Sequence, residues 1–506
     1  MTALCGIDIG TSACKTALFD ISGNTLATAS FGYPTLRPAP GLARQDPRDW
    51  YRAACLGIRK CLSDSGLKPE DVAAVGVDGQ SWACVGIDSS GEPVGDTPIW
   101  MDNGTAELCL ELDRRRSPES RFINPNPLTA NYVTGKAAAL TSSDAGRSVK
   151  KILQSNGYIV YRLTGDVCQD PSQGYGWHCF DMRKLAWNAR AADELGIPER
   201  VLPEILGCSE IAGRITAAAS LECGLLPGTP VVAGGVDSAC AALGAGVVSP
   251  GMTQEQGGTS GGMSVCTPSV TDTAKLINCV HVLPGQWLLQ GGTTGGGGVI
   301  KWLASEFGMY EASLSRERGL SVPALFDEEA EKSIPGSHGL VFLPYMSGER
   351  TPIWDPDAKG VFFGIDFSKT RADFLRAAME GVCNSLLHNL EVAKEAGASP
   401  DILLATGGSA NSRFWTQMKA DVTGIPVSVR ASDDSTALGA ALLAGAGAGL
   451  ITDVSEAASE AAHEKRRHTP DPSKRKAYAA GYEIYLELYE NLKELMRKSS
   501  RENSFS

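Results

Sequence analysis

Short apolar runs that end in glycine-rich or polar turns recur along this chain of 506 residues. In 4–20 an apolar run ends at Asp8, and a turn rich in Gly, Thr and Ser joins it to a second run of alternating apolar and polar residues. This pattern predicts a β-hairpin. The stretch 254–266 repeats it, with Gly258-Thr259-Ser260-Gly261 as the turn. Two such hairpins about half a chain apart indicate a duplicated fold.

Strands and helices alternate in the rest of the first half. A helix begins after residue 46, with Asp46 as its N-cap and an apolar stripe at helical spacing. The stretch 114–147 differs, because its turns and weak periodicity predict a loop or cap region with Arg114, Arg115 and Arg116 as a solvated helix end. We further predict strands at 24–33, 72–78, 83–87 and 230–233 and helices over 149–165 and from 237 onward.

The second half follows the same plan. Its long helix has a buried stripe formed by Phe374, Ala378, Val382 and Leu386. We predict strands at 287–291, 339–346, 402–405 and 426–430, helices at 300–307, 370–396, 414–422 and 435–446, and a helical, charged tail over 456–506.

Length and composition predict two large domains of an ordinary globular protein. The chain is too long for one core, and it is 43% apolar and 21% charged. A boundary near Pro250 and Gly251 divides it into 1–248 and 249–506. The net charge of −12 argues against non-specific nucleic-acid binding. We expect no signal peptide and no membrane span, since no uninterrupted apolar run approaches about 20 residues.

Fourteen cysteines are scattered along the chain without a C-x-x-C pair. Their spacing therefore suggests neither a zinc site nor an iron–sulfur cluster. Most have apolar neighbours, as small core residues do in a reducing cytoplasm. We expect structural thiols and a cytoplasmic protein.

Glycine-rich turns after strands suggest where chemistry takes place. A Gly/Thr/Ser turn can direct N–H and O–H donors at an anion, and Asp8 at the end of the first strand can hold hydrated Mg²⁺ beside it. An ordinary hairpin is the alternative. After the strand at 230–233, Gly234-Gly235 leads to Asp237 at the start of a helix, where the alternative role is an N-cap.

Two further groups lie where strands end. The stretch 402–411 is a strand, a Gly-Gly turn and the approach to a helix, an arrangement that can seat an adenosine. Ligands of α/β sheets bind at strand ends, which places Gln80, Ser81, Trp82 and Asp102 along a cleft. The loop 166–188 holds Tyr175, Trp177 and His178, which either stack on a ligand or pack locally.

Taken together, these segments resemble the FGGY carbohydrate kinases over nearly the whole chain. The most specific match is Gly360 to Glu380, which fits the second family signature, and FLPYMSGERTP before it is most similar to xylulokinases. The resemblance implies an α/β fold of two actin-like ATPase (ribonuclease H-like) domains with a cleft between them. Two departures concern the acceptor: the first signature survives only as Gly135-Lys136-Ala137-Ala138-Ala139, and Ser81-Trp82 stands where xylulokinases carry Met-His.

The resemblance also implies roles for single residues. Asp237 would be the catalytic base and Asp8 the Mg²⁺ residue. The N-terminal domain, 1–248, would bind sugar and the C-terminal domain, 249–506, ATP. The implied acceptor contacts are Gln80, Ser81, Trp82, Asp102 and Asp237, and the implied ATP contacts are Gly10, Thr11, Lys15, Gly258, Thr259, Gly407, Gly408 and Asn411.

The expected function is ATP-dependent phosphorylation of a hydroxyl on a ketose, such as a xylulose-like pentulose, or on a polyol. Expected partners are the sugar or polyol, ATP and Mg²⁺, without nucleic acid or membrane, and a homodimer is left open. Two alternatives remain: an actin-like ATPase that acts as a sensor or chaperone without a sugar acceptor, and a kinase-like protein that binds sugar without turnover.

Overall fold

A computed structural model of the chain describes residues 2–430 and 434–502. Residues 1, 431–433 and 503–506, which fall within the two predicted domains and in part within the predicted tail, lie outside the described residues. Helices and strands are numbered in chain order below.

The first half, up to residue 248, contains a seven-stranded sheet with helices around it. The hairpin predicted at 4–20 is present, and its partner strand from Val72 runs parallel to it. The strands are β1 Ala3–Ile9, β2 Ala13–Asp20, β3 Thr25–Gly32, β4 Arg44–Gln45, β5 Val72–Gly79, β6 Val85–Ile87, β7 Thr97–Pro98, β8 Lys151–Leu153, β9 Cys168–Gln169, β10 Phe180–Asp181, β11 Ala186–Trp187, β12 Glu204–Ile205, β13 Ile211–Arg214, β14 Pro230–Val232 and β15 Gly235–Val236. The helices are α1 Pro47–Ser65, α2 Ala106–Arg115, α3 Pro118–Ile123, α4 Val133–Ser142, α5 Ser155–Thr164, α6 Pro171–Gly174, α7 Ala189–Glu194, α8 Ala217–Cys223 and α9 Asp237–Gly244.

The second half contains another seven-stranded sheet. The strands of this half are β16 Met252–Gly257, β17 Gly261–Thr267, β18 Ile277–Val280, β19 Trp287–Thr293, β20 Val341–Leu343, β21 Val361–Phe363, β22 Ile402–Thr406, β23 Val427–Arg430 and β24 Glu464–His468. Strands β20 and β21 pair with each other in a separate two-stranded sheet. The helices of this half are α10 Gly297–Phe307, α11 Met309–Arg318, α12 Val322–Ala330, α13 Arg371–Glu395, α14 Arg413–Thr423, α15 Ser435–Gly447, α16 Val454–Ala461 and α17 Arg475–Glu502.

The two sheets repeat one pattern of pairing. Strand β1 pairs antiparallel with β2 and parallel with β5, and β16 pairs antiparallel with β17 and parallel with β22. Sheet order is β13-β14-β5-β1-β2-β3, with β15 also on β5, in the first sheet, and β18-β19-β17-β16-β22-β23-β24 in the second. The duplication expected from the two Gly-Thr-Ser turns is therefore present.

Helices α9 and α15 pack against each other, and α15 also lies on β1 and β5 of the first sheet. The contact is so close that a Cβ at Gly6 would lie 1.9 Å from the carbonyl oxygen of Ala437. One apolar core accordingly contains Leu4 and Ala74 of the first sheet together with Leu404 of the second. This packing sets the carboxyl ends of the two central strand pairs around a common space.

Several sequence-based predictions need correction. The stretch 114–147 is largely helical, in α3 and α4; the periodicity is weak because α4 is buried on most sides. Arg116 is not solvated: it is buried, and its guanidinium donates to the carbonyl of Ser120 at 3.0 Å. The stretch 149–165 is a short strand followed by a helix, and the tail contains strand β24.

The cysteines agree with the prediction of buried structural thiols, and four tyrosines of the tail are buried as well. All fourteen cysteines are buried and unpaired. In α17, Tyr478, Tyr482, Tyr485 and Tyr489 are buried along one face. Within residues 2–430 and 434–502, none of the helices combines the length and apolar character that crossing a bilayer requires.

Candidate active site

Three carboxylates lie at the ends of neighbouring strands in the first sheet. Asp8 in β1 is paired in register with Asp78 in β5, and Asp78 with Gly235 in β15, two residues before Asp237. Parallel strands bring their carboxyl ends to one edge of the sheet, which explains why residues 70 and 159 positions apart meet there. Asp237 is the first residue of α9, whose N-cap is Val236, so the N-cap alternative for Asp237 does not apply.

Burial and mutual repulsion make this edge unfavourable for negative charge. Burial, together with the charge of Asp8, raises the pKa of Asp237 to about 7. The pKa values of Asp8 and Asp78 are also raised, mainly by burial. Asp78 is fully buried, and neither of its oxygens receives a hydrogen bond from an N–H or hydroxyl group of the described residues. Burial therefore favours the protonated forms of these carboxyls relative to carboxyls in water.

A cavity of about 380 Å³ separates these acids from the second sheet. Both glycine turns reach it, Gly10 from the first hairpin and Gly258 from the second, and so does Gly407 after β22. The cavity is lined by Asp8, Gly10, Asp237, Ser238, Ala241, Gln254, Gln256, Gly257, Gly258, Thr406, Gly407, Ser435 and Thr436. Five of the residues predicted from sequence are thus brought together on opposite sides of one space.

The other predicted ATP residues lie beside this cavity rather than in its lining. Lys15 forms an ion pair with Asp434, directly before α15. The hydroxyl of Thr11 accepts a hydrogen bond from the indole of Trp100 at 2.9 Å. The backbone carbonyl of Thr259 accepts a hydrogen bond from the N–H of Gly298, at the start of α10, at 2.8 Å. Gly408 and Asn411 are exposed, next to Gly407 in a short 3₁₀ turn.

Several lining residues escaped the sequence reasoning. Ser238, Ser435 and Thr436 line the cavity from the starts of α9 and α15. A small-residue helix beginning with Ser or Thr was the available signal. Asp78 ends a buried strand that the sequence did predict, but its carboxylate was not recognised as part of the site.

A second cavity of about 300 Å³ lies between the two halves of the chain. Four aromatic side chains line it together with polar groups of both halves. The lining residues are Trp82, Trp100, Asn103, Thr129, Asn131, Tyr132, Ile277, Thr294, Ser347, Glu349, Arg350, Trp354 and Pro356. Of the predicted acceptor residues only Trp82 is among them, and the sequence reasoning missed the others because they come from five distant segments.

Trp82 has a strained backbone that its neighbours hold in place. Its φ is 63°, in the left-handed region, which costs a non-glycine residue about 1–2 kcal/mol. The indole lies 4.2 Å from the ring of Tyr132 and against Gly176, where a Cβ would approach it to 2.4 Å. Tyr175 packs edge-on against it and is fully buried, so this tyrosine supports Trp82 rather than a ligand.

The remaining acceptor residues lie outside the lining of the second cavity. Gln80 is buried, and its amide donates to Gln45, which in turn donates to the carbonyl of Thr11. The side chain of Ser81 partly offsets the rise in the pKa of Asp237. Asp102 lines neither cavity: its carboxylate accepts the N–H groups of Ala43 and Gly104 at 2.8 and 2.9 Å. Asp102 thus joins the loop after β7 to the residue before β4.

Two buried ionisable groups flank the second cavity. Glu349 accepts the N–H of Thr294 at 2.7 Å through one oxygen, while the other has no partner in the described part of the chain, and burial raises its pKa to about 7. Lys136 lies behind the wall formed by Trp82, and burial lowers its pKa to about 7. Glu349 belongs to the SGERTP segment and Lys136 to the shortened first family signature. Both residues therefore lie in stretches that the sequence had already marked as family motifs.

The donor set of the first cavity suits a magnesium ion brought in with a nucleotide. Mg²⁺ is usually held by one or two carboxylates, waters and substrate phosphates, without a full protein cage. Asp8 and Asp237 provide two carboxylates in one cavity. No cluster of three or more His, Cys, Asp or Glu side chains arranged for a metal occurs in 2–430 or 434–502. The residues present therefore fit Mg²⁺ with phosphate and do not fit a metal held by protein alone.

Comparison with known proteins gives one consistent result. The profile of the FGGY family of carbohydrate kinases, N-terminal domain, matches residues 3–244, and that of the C-terminal domain matches 256–448. The chain is 30% identical to xylulose kinase from Escherichia coli (strain K12), over 97% of this chain and 99% of that protein. The crystal structure of xylulose kinase from Rhodospirillum rubrum superimposes with a TM-score of 0.88 at 27% identity, over 98% of this chain and 100% of that one. The crystal structure of gluconate kinase from Lactobacillus acidophilus superimposes with a TM-score of 0.88 at 26% identity, over 97% of this chain and 98% of that one.

Proposed function

The chain belongs to the FGGY family of carbohydrate kinases and is an ATP-dependent sugar kinase, and from this premise we propose that it phosphorylates a hydroxyl of a xylulose-like ketose or of a polyol, with Asp237 as the base. One observation carries the proposal: Asp237 faces both glycine turns across the same cavity. A base, a phosphate-binding turn from each half and space for a nucleotide between them are the parts that phosphoryl transfer to an alcohol requires.

In the proposed mechanism, Asp237 accepts the proton of the attacking hydroxyl. Its Oδ1 already accepts the N–H of Ser238 at 2.6 Å, which orients the carboxylate. A pKa of about 7 suits a general base near neutral pH, since both protonation states are accessible there.

The glycine turns and helix starts would hold the phosphates. Gly10 and Gly258 line the cavity from the two halves, and the N-terminal ends of α9 and α15 add positive potential beside them. Gly407, followed by Gly408 and Asn411, would carry the adenosine. Asp8 would hold Mg²⁺ with the phosphates, and the bound ion would supply neutralisation of phosphate charge. The domains proposed are 1–248 for sugar and 249–506 for ATP, with closure of the cleft excluding water.

The second cavity is the proposed acceptor site. Trp82 and Trp100 offer flat apolar faces for the C–H surface of a sugar. Asn103, Asn131 and Glu349 offer polar atoms for its hydroxyl groups. The relatives named above are a xylulose kinase and a gluconate kinase, so sugars of both kinds belong in a test. The buried, unpaired thiols support a reducing, cytoplasmic setting.

A panel experiment tests this function. ADP release by the purified protein is measured with ATP, Mg²⁺ and each of a set of pentuloses, other ketoses, sugar acids and polyols. We expect one or a few ketoses or polyols to stimulate ADP release and Asp237→Ala to abolish that stimulation. No stimulation by any compound would refute the sugar-kinase proposal for this site and would leave the two alternatives, an ATPase that acts as a sensor or chaperone and a kinase-like protein that binds sugar without turnover. Near wild-type turnover by Asp237→Ala would refute the assignment of the base.

A further inference from the structure

A buried lysine that the proposed reaction does not use lies directly behind the acceptor cavity. Lys136 is in α4 and is 2% exposed. Its Nζ donates to two backbone carbonyls, that of Trp82 at 3.1 Å and that of Asn131 at 2.6 Å. Both carbonyls belong to residues that line the cavity. An ammonium group is costly to bury, so its two contacts point to a specific task.

The first carbonyl belongs to a strained residue. Trp82 has a left-handed backbone, which a tryptophan keeps only when its surroundings hold it. On one side of the residue its N–H donates to Oε1 of Gln154 at 3.0 Å, and on the other side its carbonyl accepts from Lys136. The peptide groups on both sides of Trp82 are therefore fixed by side chains. Removing the lysine releases one of these two restraints.

The second carbonyl belongs to another segment of the cavity lining. Asn131 precedes Tyr132, the N-cap of α4, and the amide of Asn131 donates to the carbonyl of Trp100 at 2.8 Å. The rings of Tyr132 and Trp82 are 4.2 Å apart. One ammonium group thus connects the turn after β5 with the start of α4. Through these two segments and their contacts it links four residues that line the cavity, Trp82, Trp100, Asn131 and Tyr132.

We propose that Lys136 is a positioning residue for acceptor binding: by holding the carbonyls of Trp82 and Asn131 together, it fixes the aromatic wall of the acceptor cavity in its binding conformation. This inference rests on the proposed function, because it takes the second cavity as the acceptor site. It also gives a task to the lysine that remains from the shortened first signature. The lysine does not touch the acceptor and acts only through Trp82 and the start of α4.

The test compares Lys136→Met with Lys151→Met in the full chain. Methionine keeps the length of the side chain and removes the donor. Lys151 is a matched control, because its Nζ also donates to a backbone carbonyl, that of Leu202 at 2.7 Å, and neither residue lines the cavity. ADP release is measured against acceptor and against ATP separately, with the panel compound that gives the highest wild-type rate. Thermal unfolding is followed on the same samples.

Lys136→Met should raise the KM for the acceptor about tenfold or more and change the KM for ATP by less than about twofold, a split that a general loss of structure would not give. Lys151→Met should leave both values unchanged. The inference is wrong if Lys136→Met leaves the acceptor KM unchanged, or if both KM values rise together with a fall in the unfolding temperature.

A second variant keeps the test decisive if Lys136→Met does not fold. Gln154→Leu removes the other restraint on Trp82 and should give the same selective rise in acceptor KM; an unchanged acceptor KM in this variant would refute the inference. The wild-type measurement distinguishes the two levels of the argument. If no compound stimulates the wild type, the proposed function fails, and this inference falls with it; if the wild type is active, the variants decide on Lys136 alone.

Discussion

Replacing Asp237 by asparagine should stop phosphoryl transfer and at the same time stabilise the protein above neutral pH. The folded protein raises the pKa of this carboxyl from 3.8 to about 7, because burial and the charge of Asp8 disfavour the ionised form. The folded state therefore binds this proton more tightly than the unfolded chain. This tighter proton binding stabilises the folded state. The stabilisation is fully present below about pH 4 and is lost as the pH rises to about 7.

The magnitude follows from that difference in pKa. Three pH units, at about 1.4 kcal/mol each, correspond to about 4 kcal/mol of unfavourable free energy for the ionised group above pH 7. Asparagine keeps the shape and removes the charge, although its amide retains part of the burial penalty. If only about 1 kcal/mol is recovered, the unfolding temperature of a domain of about 250 residues still rises by about 2 °C.

The assay combines thermal unfolding at pH 5 and pH 8 with ADP release at pH 8. Asp237→Asn should unfold at a higher temperature than the wild type at pH 8, with a smaller advantage at pH 5, and its kcat should fall by about 10²-fold or more, as loss of a general base predicts. Asp144→Asn is the control, since Asp144 is 95% exposed. Equal unfolding temperatures at pH 8, or a lower one for Asp237→Asn, would refute the electrostatic reasoning; retained turnover would refute the role as base.

Three further changes test other parts of the structure. Asp8→Asn should raise the Mg²⁺ concentration for half-maximal ADP release about tenfold or more while the unfolding temperature does not fall, and an unchanged Mg²⁺ dependence would count against Asp8 as the metal residue. Gly6→Ala should destabilise the protein by about 1–3 kcal/mol in urea unfolding, because the new methyl group overlaps α15, whereas Gly481→Ala, with nothing within 4 Å, should not destabilise it. Lys419→Met should cost about 3–5 kcal/mol by leaving the buried Glu255 without its partner at 2.7 Å, and adding Glu255→Gln should recover most of the loss.

The sequence predicted the elements whose pattern is local. The two hairpins, the Asp46-capped helix and α13 were found because alternation, capping and a periodic apolar stripe are visible in a short window. The helix α4 was missed because it is buried around most of its circumference and shows no polar face. Strand β24 was missed because its sequence, EKRRH, is charged, as suits a strand at the edge of a sheet.

The same distinction applies to the candidate site. Asp8, Gly10, Asp237, Gly258 and Gly407 follow strands or open helices, and these local patterns led to all five. The acceptor cavity is different, because six separate segments meet there and none of them carries a periodic signal. The left-handed backbone of Trp82 has no signature in sequence either, since glycine and asparagine are the residues that usually mark such a position.

The duplicated halves differ in charge at equivalent positions, and this difference explains how they divide the proposed work. Asp8 precedes Gly10 by two residues and pairs with Asp78; Gln256 precedes Gly258 by two residues and pairs with Thr406. The same geometry thus presents two acids from the first sheet and two neutral polar groups from the second. A polyphosphate can approach the neutral side without repulsion, whereas the acidic side needs a proton or a cation to face it. In the proposed mechanism the general base is on the acidic side, where burial and the charge of Asp8 raise its pKa, and the nucleotide is held from the other side.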